Sequence, residues 1–198
     1  MNIGIDIDDT ISKTAELMIG YANIYNIEVV QKEIKQGKMG NVKTHQYLNA
    51  LYGWSNEEKQ AFFEKYYGNI LEEVRPKENV SEVLKKIKQE GNKIFFITAR
   101  LTNIKNTPTL KITKEWLRKN EIPYDELIMD AKDKLIICKE KNIDLFIDDS
   151  LENCKKMFEN NIQAYLMNSI VNKNIEEENI TRVKSWDEVY EKIDCVKI

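Results

Sequence analysis

The 198-residue chain reads as an α/β protein: a Rossmann-like, doubly wound parallel sheet with a helical segment inserted after the first strand. Three observations carry that reading. Short apolar runs of strand length, "KIFFIT", "ELIMD", "IDLFID" and "QAYLM", recur through the second half and are apolar enough to be buried on both faces. Most are separated by stretches with helical spacing and helix-ending signals, the alternation that a parallel sheet covered by helices requires. Between the first strand and this series, residues 14 to about 74 carry helical rather than alternating patterning.

Taken in order, the chain opens "MNIGIDIDDTIS", where Ile3, Ile5 and Ile7 alternate as strand residues do. In the insert, "AFFEKYYGNILEEV" places Phe62, Phe63, Tyr66 and Ile70 where they can share a helix face. "RPKEN" then punctuates the chain, because Pro76 disfavours helix at Arg75, and Asn79 with Glu82 forms a helix-starting cap. The expected division is a core of residues 1–13 and 76–198 and a helical cap subdomain of residues 14–75. Within the core, a helix over 80–90 closes at Gly91, and further helices are expected over about 109–119, 133–141, Leu151 to Glu159 and around "SWDEVYEKI". Residues 168–180, with the acidic run Glu176 to Glu178, read as a solvated loop.

Composition narrows the function. With 30 basic and 33 acidic residues the formal charge is −3, which gives no overall electrostatic case for a nucleic-acid polymer or an anionic membrane as partner. Cys138, Cys154 and Cys195 are odd in number and widely spaced, so they fit neither a disulfide framework nor a zinc site. The N-terminus lacks a basic region followed by a long apolar stretch, and no apolar run approaches the ~20 residues of a membrane span. The expectation is a soluble, cytoplasmic protein.

Ligands of open parallel sheets gather beyond the carboxyl ends of the strands. At those ends the sequence puts Asp6, Asp8 and Thr10, then Thr98 and Arg100, then Asp148 and Asp149, with Lys134 near the start of the helix leading into the last of these strands. Brought together, they would form a carboxylate-rich hollow with one or two fixed cations and a hydroxyl. Such a set suits Mg²⁺, a hard cation that takes one or two protein carboxylates and completes its shell with water and phosphate oxygens. A carboxylate can also attack phosphorus, dividing a hard hydrolysis into two easier steps, and Asp6 and Asp8 would point the same way if the backbone stayed extended.

These residues resemble the haloacid dehalogenase-like phosphatase superfamily: "DIDDT" for its DxDxT motif, Thr98 after an apolar strand for its second, Lys134 for its third and "IDD" at 147–149 for its fourth. The resemblance covers roughly residues 1–13 and 76–166, and the insert falls where that superfamily carries a cap. It implies Asp6 as nucleophile, Asp8 as general acid and base, Thr98 as phosphoryl hydrogen-bond donor and Lys134 as the charge-neutralising lysine. It further implies Mg²⁺ held by Asp6, the backbone carbonyl of Asp8, Asp148 and Asp149. Arg100 is a candidate clamp for a second part of the substrate. Within the superfamily, "FFITAR", "WLRKNEIPYDELIM" and "IDLFIDDSLENC" are similar to the 5′(3′)-deoxyribonucleotidase family and its bacterial members, which implies a deoxyribonucleoside monophosphate as the small phosphorylated partner.

Other readings stand beside these. The same core could serve a sugar phosphate or another small metabolite, or a noncatalytic phospholigand-binding module. Asp148 and Asp149 could cap the helix starting near Leu151, and Lys132 competes with Lys134. His45, the only histidine, has no evident triad partners. The aromatic residues Tyr52, Trp54, Phe62, Phe63, Tyr66 and Tyr67 read first as helix-packing core, with some able to face the catalytic hollow.

Overall fold

The computed structural model describes residues 1–35, 40, 47–102, 104–105 and 107–195; His45 lies outside them. Six strands, β1 (Asn2–Ile5), β2 (Lys93–Ile97), β3 (Glu126–Ile128), β4 (Leu145–Asp148), β5 (Gln163–Met167) and β6 (Thr181–Val183), form one sheet in the order β3-β2-β1-β4-β5-β6. Every pairing is parallel, with Ile5 opposite Phe96 on one side and Ile147 on the other. The chain leaves β1 in one direction to β2 and β3, then returns to β4 and continues outward through β5 and β6. The crevice between β1 and β4 is therefore the point where the strand order reverses, the usual ligand position in such sheets.

Successive strand residues serve opposite faces of the sheet. Ile3, Ile5, Phe96, Leu145 and Ile147 pack on one side with Val83, Leu84, Trp116 and Trp186, from helices α4 (Val80–Gln89), α5 (Thr109–Lys119) and α8 (Trp186–Cys195). Phe95, Ile97, Phe146 and Leu166 pack on the other with Leu135, Cys138, Cys154 and Met157, from α6 (Lys134–Glu140) and α7 (Leu151–Phe158). Each large side chain so buried contributes about 1.5–3 kcal/mol, and this two-sided burial makes the strands read as continuous apolar runs. Gly4 sits between the two central neighbours for a steric reason. A Cβ there would lie 2.8 Å from Cδ2 of Phe146 and 3.2 Å from Ile143 and Ile97.

Between β1 and α4, the described helices are α1 (Thr14–Tyr25), which runs into a π-helical turn over Asn26–Val30, α2 (Tyr47–Tyr52) and α3 (Asn56–Glu73). They share a third, aromatic core in which Tyr25, Trp54 and Phe62 meet with ring centroids 5.2–5.6 Å apart. Ser55 and Glu58 form a capping box that starts α3, and that helix ends before Pro76.

Three local expectations need correction. Asn79 precedes α4 in a left-handed conformation (φ 59°) and its side chain makes no cap; its amide donates to Asp187 Oδ2 at 2.8 Å instead. The strand β6 was not expected, because three residues give too short a pattern to read. The polar stretch 168–180 is also more than a solvated loop: Ser169, Val171, Asn172, Ile175 and Ile180 are buried, and Arg182 Nη2 donates to the Ile175 carbonyl at 2.5 Å.

Candidate active site

The first strand carries its pairing one residue past β1, since the Asp6 amide donates to the Ile147 carbonyl at 2.9 Å. The backbone then turns, with the amides of Thr10, Ile11 and Ser12 all directed at the Ile7 carbonyl and Asp9 at φ 57°. Asp6 and Asp8 thus do not lie on one extended run. Asp6 stays at the sheet end and Asp8 begins the turn, so each meets a different cation.

Asp6 Oδ1 accepts from Lys134 Nζ at 2.6 Å, and the same ammonium donates to Asp148 Oδ2 at 2.8 Å. All three side chains are at most 4 % exposed. Lys134 reaches them because Asp133, whose carboxylate caps α6, starts the helix there, whereas Lys132 lies outside the helix and is exposed. Its Nζ also lies 5.8 Å from the ring of Phe146, the side chain that needs the space left by Gly4. Asp148 is held further by the Ser150 amide (2.8 Å) and the Asn153 amide group (2.9 Å). The cap of α7 is Ser150, whose hydroxyl accepts from Asn153 N, so capping does not account for Asp148 and Asp149.

Carboxylate oxygens of Asp6, Asp148 and Asp149 lie within 4.8 Å of one another, all buried. Three carboxylates against the one ammonium between them leave a buried negative excess. Asp6 Oδ2 and Asp149 Oδ1 have no hydrogen-bond partner, a costly condition for buried charged oxygens. Burial, opposed by Lys134, pushes the Asp6 carboxyl up to about 6, and burial with the charges of Asp9 and Asp148 raises Asp149 well above its ordinary range. Orphaned hard oxygens, spaced this closely and destabilised as anions, fit a small divalent cation.

Asp8 is paired with a different cation. Its Oδ2 accepts from Arg100 Nε at 2.8 Å and its Oδ1 from Arg100 Nη2 at 2.6 Å and Thr14 Oγ1 at 2.7 Å. Arg100 is buried, and its Nη1 donates to Thr113 Oγ1 at 3.1 Å. The guanidinium therefore spends its fork on Asp8 and Thr113. Thr98, also buried, accepts from the Arg100 amide at 3.2 Å. Asp9, the third acid of the opening motif, accepts from Ala15 N at 2.8 Å and so satisfies a free amide in the first turn of α1. Burial raises its carboxyl to about 7.

A cavity of about 360 Å³ opens above these groups, with Asp6, Asp8, Thr98, Arg100 and Lys134 on its floor. Its other wall comes from the inserted helices and the loop after β2: Met18, Tyr47, Leu48, Phe63, Tyr67 and Ile104. Of the aromatic residues expected in the insert, Phe63 and Tyr67 reach the cavity, one turn apart on α3, while Tyr52, Trp54 and Phe62 are buried in the aromatic core. Tyr47 and Met18 escaped the sequence reading. Nothing in their spacing separates them from core residues.

A parallel sheet with this strand order, acids at the ends of its two central strands and a lysine brought up from a flanking helix, is a fold shared with solved proteins of the haloacid dehalogenase-like superfamily, among them a hydrolase of Streptococcus pneumoniae with a TM-score of 0.66 at 11% identity, covering 97% of each chain. The crystal structure of a predicted phosphatase from Clostridium acetobutylicum superposes with a TM-score of 0.72 at 13% identity, covering 100% of this chain and 98% of that one. The β-phosphoglucomutase of Clostridium difficile superposes at 0.65 and 17% identity, covering 98% and 95%.

The family described as 5′ nucleotidase, deoxy (pyrimidine), cytosolic type C matches residues 1–198, and the chain belongs to it. A curated nucleotidase of Clostridium acetobutylicum is 32% identical over 195 residues, spanning 98% of this chain and 94% of the relative. Among the described residues, no helix is long and apolar enough to cross a membrane.

Proposed function

We propose that the protein is a Mg²⁺-dependent nucleotidase that hydrolyses a deoxyribonucleoside monophosphate through an aspartyl phosphate on Asp6. The observation that carries this reading is the buried meeting of Asp6, Asp148 and Asp149 with Lys134 under a partly aromatic cavity. Asp6, Asp148, Asp149 and the backbone carbonyl of Asp8 would hold the ion, which supplies positive charge against the phosphoryl oxygens.

The Asp6 carboxylate attacks phosphorus, the ester P–O bond breaks, and Asp8 delivers its proton to the departing oxygen. Water then attacks the phosphorus of the aspartyl phosphate while Asp8 takes up its proton, which frees phosphate and restores Asp6. Lys134 offsets negative charge beside the nucleophile, and the Thr98 hydroxyl donates to a phosphoryl oxygen. Since both Asp8 oxygens accept from Arg100, the carboxylate acts only after exchanging part of that pairing for substrate.

Residues 14–75 form the cap in this reading. Phe63, Tyr67 and Tyr47 on the cavity wall offer flat apolar faces suited to a nucleobase, and the family's description, with its deoxy and pyrimidine terms, supports that class. The test is phosphate release by purified protein over a panel of deoxyribonucleotides, ribonucleotides and sugar phosphates, with and without Mg²⁺. Preferred, Mg²⁺-dependent release from deoxyribonucleoside monophosphates, with a phosphorylated peptide mapping to Asp6 after rapid acid quench, is expected. Preference for sugar phosphates, or full turnover by Asp6→Asn, would overturn it.

A further inference from the structure

Asp149 differs from its two companions in how it is held. Asp6 and Asp148 are both fixed by the Lys134 ammonium, and Asp148 also accepts from the Ser150 amide and from Asn153. Among the described residues no lysine or arginine forms an ion pair with Asp149, and its Oδ1 is buried without a hydrogen-bond partner. Two other carboxylates lie within 4.8 Å and repel it. Its place in the cluster is therefore set from the backbone.

That backbone is gripped by Asn172, from the polar stretch after β5. Asn172 Nδ2 donates to the Asp149 carbonyl at 2.7 Å and to the Met167 carbonyl at 2.9 Å, which ties the residue after β4 to the last residue of β5. Its Oδ1 accepts from the Ser169 amide at 3.0 Å and from Arg182 Nη1 at 3.0 Å. A primary amide has two hydrogens and two lone pairs, and here all four are used by a side chain only 1 % exposed. Behind it stands Arg182 of β6, which also donates to Asn168 Oδ1 and to the Asn172 and Ile175 carbonyls. Every one of these acceptors is neutral. The guanidinium charge thus polarises the Asn172 amide and strengthens its donation toward Asp149. Neither residue lines the main cavity, so contact with substrate does not account for the arrangement.

We propose that Asn172, anchored by Arg182, is the positioning residue of the metal site: it holds Asp149 against the repulsion of Asp6 and Asp148 and so sets the affinity for the divalent cation. This inference rests on the ion-holding role given to those three acids in the proposed function. It extends that role to two residues that reach the ion only through Asp149, as partners behind a metal ligand commonly do.

The test is titration of the metal-stripped full chain with Mn²⁺, followed by the electron paramagnetic resonance of the free ion, which reads binding without turnover. Wild type is compared with Asn172→Leu, with Arg182→Met and with Ile180→Ala, a control that loosens the packing of the same stretch at a buried apolar residue. Near-ultraviolet dichroism and urea midpoints report folding. Mn²⁺ affinity is expected to fall about tenfold or more in Asn172→Leu and on the order of threefold in Arg182→Met, while Ile180→Ala loses stability but stays within about twofold of wild type. Wild-type affinity in Asn172→Leu, or an equal loss in Ile180→Ala, overturns the proposal. If Asn172→Leu lacks native dichroism, the half-buried Arg182 decides: reduced affinity in a natively folded Arg182→Met supports the proposal, and unchanged affinity overturns it. Absence of saturable Mn²⁺ binding by wild type overturns the metal reading and this proposal together, whereas wild-type binding that Asn172→Leu retains overturns this proposal alone.

Discussion

The floor and the roof of the main cavity are built on different physical terms. The floor depends on charge placed to within a fraction of an ångström: Lys134 bridges Asp6 and Asp148 with essentially no water access, and two further carboxylate oxygens there have no partner. The roof depends on volume and apolar surface, with Met18, Leu48 and Tyr67 belonging to the aromatic core of the inserted helices and Phe63 packed against it. Buried charge loses most of its value when one partner is removed, whereas an apolar wall degrades gradually. In the proposed function the reaction resides in the part that tolerates least, and choice of substrate in the part that tolerates most.

The largest expected effect is on the floor. Asp6→Asn keeps the shape but removes the proposed nucleophile, and turnover measured as phosphate release should fall on the order of 10⁴-fold or more. A smaller loss would mean the floor acts by positioning alone. Next, Lys134→Met leaves Asp6 and Asp148 facing each other without a counter-charge. The metal-free protein should lose about 3–5 kcal/mol in urea denaturation, and divalent metal should restore part of it.

A pH effect of similar origin follows from Asp6. Its carboxyl rises from 3.8 to about 6 on folding, so the native state binds more protons than the unfolded chain between those values. Stability of the metal-free protein should accordingly fall as pH rises through that window, by on the order of 3 kcal/mol. Asp6→Asn should remove that share of the dependence and leave the share carried by the raised Asp9 and Asp149 carboxyls, and denaturation midpoints at several pH values would show it. The roof gives the smallest effect. Phe63→Leu and Tyr67→Leu should raise KM by about tenfold or less and shift preference among nucleotides while kcat changes little. A collapse of kcat in either would erase the distinction between floor and roof.

How much of this could be read from sequence differs between the same two regions. The sheet was legible because its strands are buried on both faces, and runs such as "KIFFIT" and "LFID" are confined to that environment. Positions in the floor were legible because each sits at the end of such a strand, within three residues past it, or at a helix start, and the strand order brings those places together. The pairing of Asp8 with Arg100 was not legible, since it depends on a turn at Asp9 that no periodicity announces. Nor was the roof. Phe62 and Phe63 are adjacent in sequence and chemically alike, yet one is core and the other wall, a distinction set by how α3 rolls against α1. Asn172 was hidden for another reason: a polar stretch looks solvated until its amide is seen holding two carbonyls, those of Asp149 and Met167.

Gly4 carries a consequence that reaches beyond its own strand. The missing methyl lets the ring of Phe146 lie against β1, and that ring is one of the surfaces flanking the Lys134 ammonium. An alanine at position 4 would push an aromatic plate sideways and carry the disturbance to a charge it never touches. The smallest residue in the central strand thus acts as a spacer, setting the fine alignment of the chemistry from inside the sheet.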